Sequence, residues 1–232
     1  PATSNTNPSV VGENAINVAY RTHVQSFGWQ GWKYNGQMSG TSGLAKRLEG
    51  INIKLTNQTY SGSIVYTTHV QSYGWQGNEN DPNTWKRNGV MSGTSGEAKR
   101  LEAIRIALTG EMAEHYDVYY RVHAQSFGWL GWAKNDEESG TKGYDCQAEA
   151  IQIVAGKKGM DAPGSTENAF VEKDPTVSYT AYVNGEGWMS PVENGETSGT
   201  TGKSLALGGI KVNLRDKGYA GTIQYMSHIQ DI

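Results

Sequence analysis

The stretch Tyr20–Trp29, YRTHVQSFGW, decides the fold, because the chain repeats it. It returns as YTTHVQSYGW at Tyr66–Trp75, as YRVHAQSFGW at Tyr120–Trp129 and, in a diverged form, as YTAYVNGEGW at Tyr179–Trp188. A fifth copy begins with YMSHIQ at Tyr225–Gln230. The shortest spacing between copies is 46 residues, and self-similarity at such a period is typical of repeat architectures.

Each copy carries a second block, which starts with a Ser-Gly-Thr loop and continues into an alternating segment. The loop is SGTSG at Ser39–Gly43, and its counterparts begin at Ser92, Ser139 and Ser198. The segment that follows in copy one, Arg47–Leu55 (RLEGINIKL), has the period of two that is typical of a β-strand. The loop lacks the lysine and the following helix of a phosphate-binding loop, so we interpret it as a tight turn whose glycines adopt positive φ.

The alternation in both blocks predicts an all-β fold without helices. A polar turn, residues 56–62, separates the second block of copy one from the first block of copy two. We therefore predict hairpins between consecutive copies, which would bring His69 and Gln71 near Arg47 and Glu49. Repeated antiparallel hairpins of this size predict a pseudo-symmetric, trefoil- or prism-like barrel of three copies, with an extra diverged repeat. An open repeat array is the alternative.

The spacing of the copies predicts four segments along the chain. Residues 1–16 form an N-terminal arm, and residues 17–156 hold three repeats. Residues 157–176, rich in Gly, Pro, Ser and charge, are interpreted as a linker. Residues 177–232 hold the diverged fourth repeat and half of a fifth, whose predicted strand Thr222–Gln230 would pair with Lys211–Leu214. The other edge of that strand, and one edge of the first strand at Val18, would remain open to another chain.

Composition argues against several classes of function. The chain has 232 residues, a net charge of −3 and no basic stripe, which argues against a nucleic-acid partner. No apolar run approaches the length of a membrane span. The single cysteine, Cys146, cannot form an internal disulfide and is interpreted as incidental rather than nucleophilic.

Catalysis and metal binding are not predicted either. The histidines recur once per repeat without a local ligand pair, and the recurring glutamates stand close to arginines that would keep them ionised. The insert Asn78–Asp81 contains oxygen ligands for calcium but lacks an ordered ligand series. We therefore predict no catalytic residue, no metal site and no cofactor, and the chain is not expected to be an enzyme.

The four blocks, in their fixed order, resemble the clostridial hydrophobic tryptophan-bearing (ChW) repeats of clostridia and related bacteria. They are Tyr-x-x-His-Val-Gln-x-x-Gly-Trp, a second Trp with Gly, Ser-Gly-Thr-x-Gly, and Arg-Leu-Glu-x-Ile-x-Ile. The resemblance covers nearly everything from Val18 onward. It implies an extracellular, surface-associated module, usually in tandem, that binds carbohydrate or protein ligands or aids adhesion. It implies no catalytic residues.

Copy four separates residues that the fold needs from residues with another role. It keeps its tyrosine, glycines and first tryptophan, but the His, Gln, Arg and Glu of the other copies become Tyr182, Asn184, Ala206 and Gly208, and the second tryptophan becomes Pro191. Residues lost together are expected to interact. They form either a half-buried polar network within each hairpin or a repeated ligand site in which the second tryptophans are stacking platforms.

The first tryptophans are interpreted as packing residues and the second ones as exposed. The candidate ligand-binding residues are therefore Trp32, Trp85, Trp132, His23, Gln25, Arg47, Glu49, His69, Gln71, Arg100, Glu102, His123, Gln125 and Glu149. The expected partner is a glycan or a surface protein. The alternative is a structural subunit of an extracellular filament or layer, a homo-oligomer assembled through its terminal strands.

Overall fold

The computed structural model describes residues 16–173, 176–215 and 222–226, and it confirms an all-β protein of repeated antiparallel hairpins. The chain forms two compact units, with the boundary between Glu172 and Lys173. No helix in these residues is long and apolar enough to span a membrane.

The first three copies share one succession of strands. In copy one these are β1 (Asn17–Val24), β2 (Gly28–Trp29), β3 (Lys33–Tyr34), β4 (Ser39–Gly40) and β5 (Leu48–Thr56). In copy two they are β6 (Ser63–Val70), β7 (Gly74–Trp75), β8 (Lys86–Arg87), β9 (Ser92–Gly93) and β10 (Leu101–Thr109), with a 3-10 turn at Pro82–Thr84. In copy three they are β11 (Tyr116–Ala124), β12 (Gly128–Trp129), β13 (Ala133–Lys134), β14 (Ser139–Lys142) and β15 (Ala148–Lys157).

The long strands pair within a copy, so the predicted hairpin between consecutive copies is wrong. β1 pairs with β5, β6 with β10 and β11 with β15, while the turn 56–62 only connects copies one and two. The alternation of apolar and polar residues identifies the strands but not the strands with which they pair. Pairing within a copy places His23 opposite Gly50, beside the buried Glu49 of its own copy, so the charge does not lie alone in the interior.

The other edge of β1 is also occupied, by β2 and β3. At Val18 the backbone N–H donates to the side chain of Asn35, and the carbonyl accepts from the backbone N–H of the same asparagine. The prediction of an open edge at Val18 is therefore wrong. The hypothesis of filament assembly through this first strand depended on that open edge and is no longer supported.

The three copies are joined in a cycle by their Ser-Gly-Thr loops. β9 of copy two pairs with β5 of copy one, β14 of copy three with β10 of copy two, and β4 of copy one with β15 of copy three. Each loop therefore extends the hairpin of the preceding copy, and the third copy returns to the first. The pseudo-symmetry predicted from the repeats is present in these contacts.

One buried tyrosine in each copy reinforces the same joints. Tyr66 accepts a hydrogen bond from the backbone N–H of Ile53 in copy one (3.1 Å) and donates to the carbonyl of Val90. Tyr120 and Tyr20 occupy the same place at the other two joints. Removal from water raises the pKa of Tyr66 to about 12, so the phenol is neutral and able to donate over the physiological range.

One large apolar core fills the space between the three hairpins, and two smaller apolar clusters lie within copies two and three. Its fully buried members come from every copy and include the three tyrosines together with Ile51, Ile104 and Ile151. Because each copy contributes one face to this large core, no copy buries that face alone. The stability of the first unit therefore depends on all three joints.

Two short elements lie outside the repeat pattern. Helix α1 (Glu111–His115) follows β10, which differs from the prediction of a chain without helices. Its buried Met112 packs into the core from the connection between copies two and three. Strand β16 (Phe170–Glu172) pairs in parallel with β14. Residues 158–172, which the composition assigned to a linker, therefore pack on the first unit.

The second unit contains copy four as a separate hairpin. β17 (Thr176–Val183) pairs with β20 (Leu207–Arg215) and with the short strands β18 (Gly187–Trp188) and β19 (Val192–Glu193). Residues 222–226 form no strand, so the predicted pairing with Lys211–Leu214 is not formed over that part. The rest of that predicted strand, residues 227–230, and the N-terminal arm up to residue 15 lie outside the described residues.

Candidate functional site

The recurring His, Arg and Glu form one polar cluster in each of the first three copies. In copy one, Glu49 accepts from Nε of Arg47 (2.9 Å) at one carboxylate oxygen and lies 3.0 Å from Nδ1 of His23 at the other. The bulge in β1 between His23 and Val24 turns the imidazole toward this carboxylate. The glutamate is buried, so the guanidinium of Arg47 rather than water balances its charge.

Copies two and three repeat this arrangement with one difference. Glu102 accepts from His69 (2.9 Å) and from Nε of Arg100 (2.8 Å). In copy three Glu149 lies 3.2 Å from His123, and Gln147 donates to it in place of the arginine (3.0 Å). The clusters belong to separate hairpins and do not meet in one site.

The three glutamines predicted to belong to this set make a different contact. The backbone N–H of Gln25 donates to the carbonyl of Arg47, and Gln71 and Gln125 make the equivalent bond. These bonds close the ends of the hairpins. Asn184 makes the same bond to Ala206 in copy four, so the position needs a backbone donor rather than a glutamine side chain.

The clusters act on the structure of each hairpin, because the carboxylate of each glutamate faces side chains of its own hairpin. Both oxygens of each glutamate already have a partner, and the glutamates are buried. A ligand would have to displace an ion pair to reach them. The geometry therefore favours the polar network over the repeated ligand site, of the two hypotheses drawn from the sequence.

The first tryptophans lie edge-on against these histidines at the surface. Ring centroids are 5.5 Å apart for Trp29 and His23, and copies two and three have the same T-shaped contact. In copy four Tyr182 replaces the histidine and keeps the contact with Trp188. Trp29 is 37% exposed, so it packs against His23 at the surface as a partly open ring and does not lie in the core.

Two of the second tryptophans are buried, which corrects the prediction that they are exposed. Trp85 is 3% exposed, and its indole N–H donates to the carbonyl of Asn78 (2.8 Å), within the insert of copy two. Trp132 is also 3% exposed and lies under residues 160–165. Each ring is covered by a segment that copy one lacks, and the repeat pattern alone cannot show how such a segment folds.

Asp117 anchors the segment that covers Trp132. Its buried carboxylate accepts from the backbone N–H of Gly159 (2.8 Å) and pairs with Lys134 and Lys158. Burial alone would raise the pKa of Asp117, but these bonds, with one from Asn135, outweigh it and hold the pKa well below its usual value. The cover is therefore fixed to the sheet by charge.

Copy one leaves its second tryptophan partly open. Trp32 is half-buried, and two cations lie over its ring: the guanidinium of Arg21, 4.9 Å from the ring centroid, and Nζ of Lys54, at 4.3 Å. The guanidinium of Arg21 also lies 4.9 Å from the centroid of Trp29. One cation therefore contacts both indoles and fixes them beside each other, held in place by its hydrogen bond to Asn52.

We call the four residues Trp29, Trp32, Arg21 and Lys54 the copy-one aromatic surface. It combines two partly open rings with two cations, a combination suited to stacking on a sugar ring and pairing with its oxygen or acidic groups. The sequence prediction included Trp32 but missed the other three. The sequence did contain a signal for Arg21, because an arginine recurs at the equivalent position, Arg121, before the histidine of copy three. In the structure each of these arginines contacts both tryptophans of its own copy.

Other candidate chemistry finds no support in the described residues. They contain no group of three or more His, Cys, Asp or Glu side chains placed to hold a metal ion. In the insert of copy two, Asp81 accepts from the backbone N–H of Asn83 and caps the 3-10 turn. Burial raises the pKa of the Cys146 thiol, which disfavours the nucleophilic thiolate.

Comparisons with known proteins point to one family. The family model described as Clostridial hydrophobic W (ChW) matches four times, at residues 23–57, 69–110, 123–154 and 182–216, which together make up more than half of the chain. Neither the comparison with curated proteins nor that with solved structures found a match. Each matched range begins within a first block and ends close to the end of a second one, so it contains the tryptophan loop and the Ser-Gly-Thr loop.

Proposed function

The chain belongs to the clostridial hydrophobic W repeat family, which is associated with bacterial surface proteins, and from this premise we propose that it is a non-catalytic extracellular module that binds carbohydrate in adhesion. The ligand would lie on the copy-one aromatic surface. The observation that carries the proposal is the pair Trp29 and Trp32, two partly open indoles that contact one guanidinium.

The charges around the rings narrow the class of carbohydrate. Arg21 and Lys54 both lie beside Trp32, while Glu49, the one acidic residue between positions 17 and 57, is buried against its own partners. A positive charge next to an apolar face favours a sugar that carries a carboxylate or a phosphate. Binding is therefore expected to weaken as the salt concentration rises.

The proposal also explains why one copy is singled out. In copies two and three the equivalent indoles are almost fully buried, and a sugar ring cannot stack on an indole that solvent does not reach. The three repeats therefore have different roles: all three contribute to the core, and copy one presents the ligand surface. A surface protein with a carboxylate-rich loop is the alternative partner, and an array of glycans separates the two.

We expect the chain to bind acidic glycans on an array and Trp32→Ala to weaken that binding at least about tenfold, about 1.4 kcal/mol, because a stacking face is lost. Trp29→Ala is expected to act in the same direction. Tyr73→Ala is the matched control, since it removes an exposed ring from the equivalent loop of copy two and is expected to leave binding unchanged. Circular dichroism of each variant monitors the fold.

Two results would count against this function. If the chain bound no glycan on the array, even at low salt, carbohydrate would be excluded as its ligand. Equal losses for Trp32→Ala and Tyr73→Ala would place the ligand somewhere other than the copy-one aromatic surface.

A further inference from the structure

Copy four carries both halves of the joint that links copies one, two and three. In the first unit the loop strand of one copy pairs with the second long strand of the preceding copy, as Ser92–Gly93 does with Gly50–Ile51. The equivalent segments of copy four are Ser198–Gly199 and Gly209–Ile210. Within residues 176–215, no strand pairs with the first of these, and the second is paired only on the side of β17.

The side chains that such a joint would bury are exposed in copy four. Leu207 is 59% exposed, whereas Leu48 at the same position of copy one is 2% exposed. Ile210 is 37% exposed, against 1% for Ile51. These apolar residues continue the core pattern of the repeat, so their sequence fits an interior that the described part of the second unit does not supply.

The loop of copy four keeps the shape of a joint without its neighbour. Gly93 has a φ of 109°, and a β-carbon there would lie 2.4 Å from the carbonyl oxygen of Glu49. Gly199 has a φ of 126°, but no atom lies within 4 Å of the place of its β-carbon. The backbone is therefore arranged to approach another strand as closely as Gly93 does.

The tyrosine of copy four is likewise prepared for a joint. Tyr179 donates its hydroxyl to the carbonyl of Glu196, as Tyr66 does to Val90. In copies one to three the same oxygen accepts from a backbone N–H of the preceding copy, such as Ile53. The equivalent donor in copy four is Val212, and it would come from another copy.

We propose that three copies of this chain associate through their second units, each giving Ser198–Gly199 to the strand β20 of the next. The occupant of the open edge is the same repeat from a second chain, because the first unit shows these two elements binding each other. Three is the required number, since the cycle in the first unit returns to its starting copy after three joints. This association is independent of the ligand surface, which lies in the first unit.

Sedimentation velocity of the full chain over a range of concentrations tests the number of copies. We expect a species with three times the mass of the 25.2 kDa chain, in equilibrium with monomer at low concentration. A chain that stays monomeric at every concentration would overturn the proposal. A dimer, or a series of ever larger species, would overturn the closed cycle of three.

A charge introduced at a position that only the trimer would bury tests where the chains make contact. Leu207→Arg is expected to abolish the trimer, because the side chain is open in the single chain and enclosed in the association. Leu44→Arg is the matched control: Leu44 is also exposed, at 55%, but lies in the first unit, so the trimer should persist. A trimer that survives Leu207→Arg, or is lost equally with Leu44→Arg, would show that the chains associate elsewhere.

Discussion

Gly93→Ala is expected to lower the free energy of unfolding of the first unit by about 3 to 5 kcal/mol. The added β-carbon would lie 2.4 Å from the carbonyl oxygen of Glu49 and 2.7 Å from the α-carbon of Gly50, and both of these are backbone atoms that cannot rotate away. The φ of 109° adds strain for any residue other than glycine. The joint between copies one and two would have to open.

Urea unfolding, followed by circular dichroism, measures this loss, and Gly96→Ala provides the control. Gly96 belongs to the same loop and has a φ of 77°, but its β-carbon would meet no atom within 4 Å. Alanine at Gly96 therefore carries only the backbone strain, about 1 kcal/mol. Similar losses for the two variants would contradict the close approach of β9 and β5.

Glu102→Ala is expected to cost about 3 to 5 kcal/mol of unfolding free energy, because it removes the partner of the buried His69 and of the half-buried Arg100 at once. His69 is 2% exposed and loses the acceptor at its Nδ1, and Arg100, just before β10, loses the carboxylate two residues further along the chain. Arg100 retains Asp145, an exposed partner that can offset only a small part of the loss.

Two other glutamates of the chain provide comparisons for the loss of unfolding free energy expected from Glu102→Ala. Glu149→Ala is expected to cost less, since Gln147 stands in place of the arginine and His123 is less deeply buried than His69. Glu97→Ala, at the surface, is expected to cost less than about 1 kcal/mol. Thermal or urea unfolding of the three variants gives the order. If Glu102→Ala were as mild as Glu97→Ala, the clusters would not stabilise the hairpins.

The repeated blocks were sufficient to predict the strands but not their partners. The alternation in Asn17–Val24 and Leu48–Thr56 marks two strands with apolar faces, and both exist. The same alternation is equally compatible with pairing to the next copy, which is why the hairpin was predicted there. The choice depends on the fold of the 23 residues between the strands, because β2 and β3 return to β1 and leave its other edge for β5.

The residues lost in copy four included three that contact one another in copy one and a fourth, the glutamine, that makes a different contact. His, Arg and Glu were lost together because they contact one another in the other copies, as the cluster at Glu49 shows. The glutamine contributes a backbone bond that Asn184 also makes, so its loss carried no information about the cluster. Residues that change together between copies can indicate side-chain contacts, but they give no information about a hydrogen bond that the backbone makes.

The exposure of the tryptophans was the hardest feature to predict from sequence. Trp32, Trp85 and Trp132 occupy one position of the repeat, yet the insert of copy two covers the second and the segment after β15 covers the third. These covers depend on long-range contacts such as those of Asp117, which lie outside the repeat pattern. Sequence identity at a repeat position therefore does not imply equal access to solvent.

The indole N–H resonances in a ¹H–¹⁵N NMR titration test the central claim most directly. With an acidic glycan that binds on the array, the account predicts that the signals of Trp29 and Trp32 shift and saturate together, while those of Trp85 and Trp132 stay in place. Single Trp→Phe variants assign the peaks. Shifts at the covered tryptophans with none at Trp32 would contradict the assignment of ligand binding to the copy-one aromatic surface.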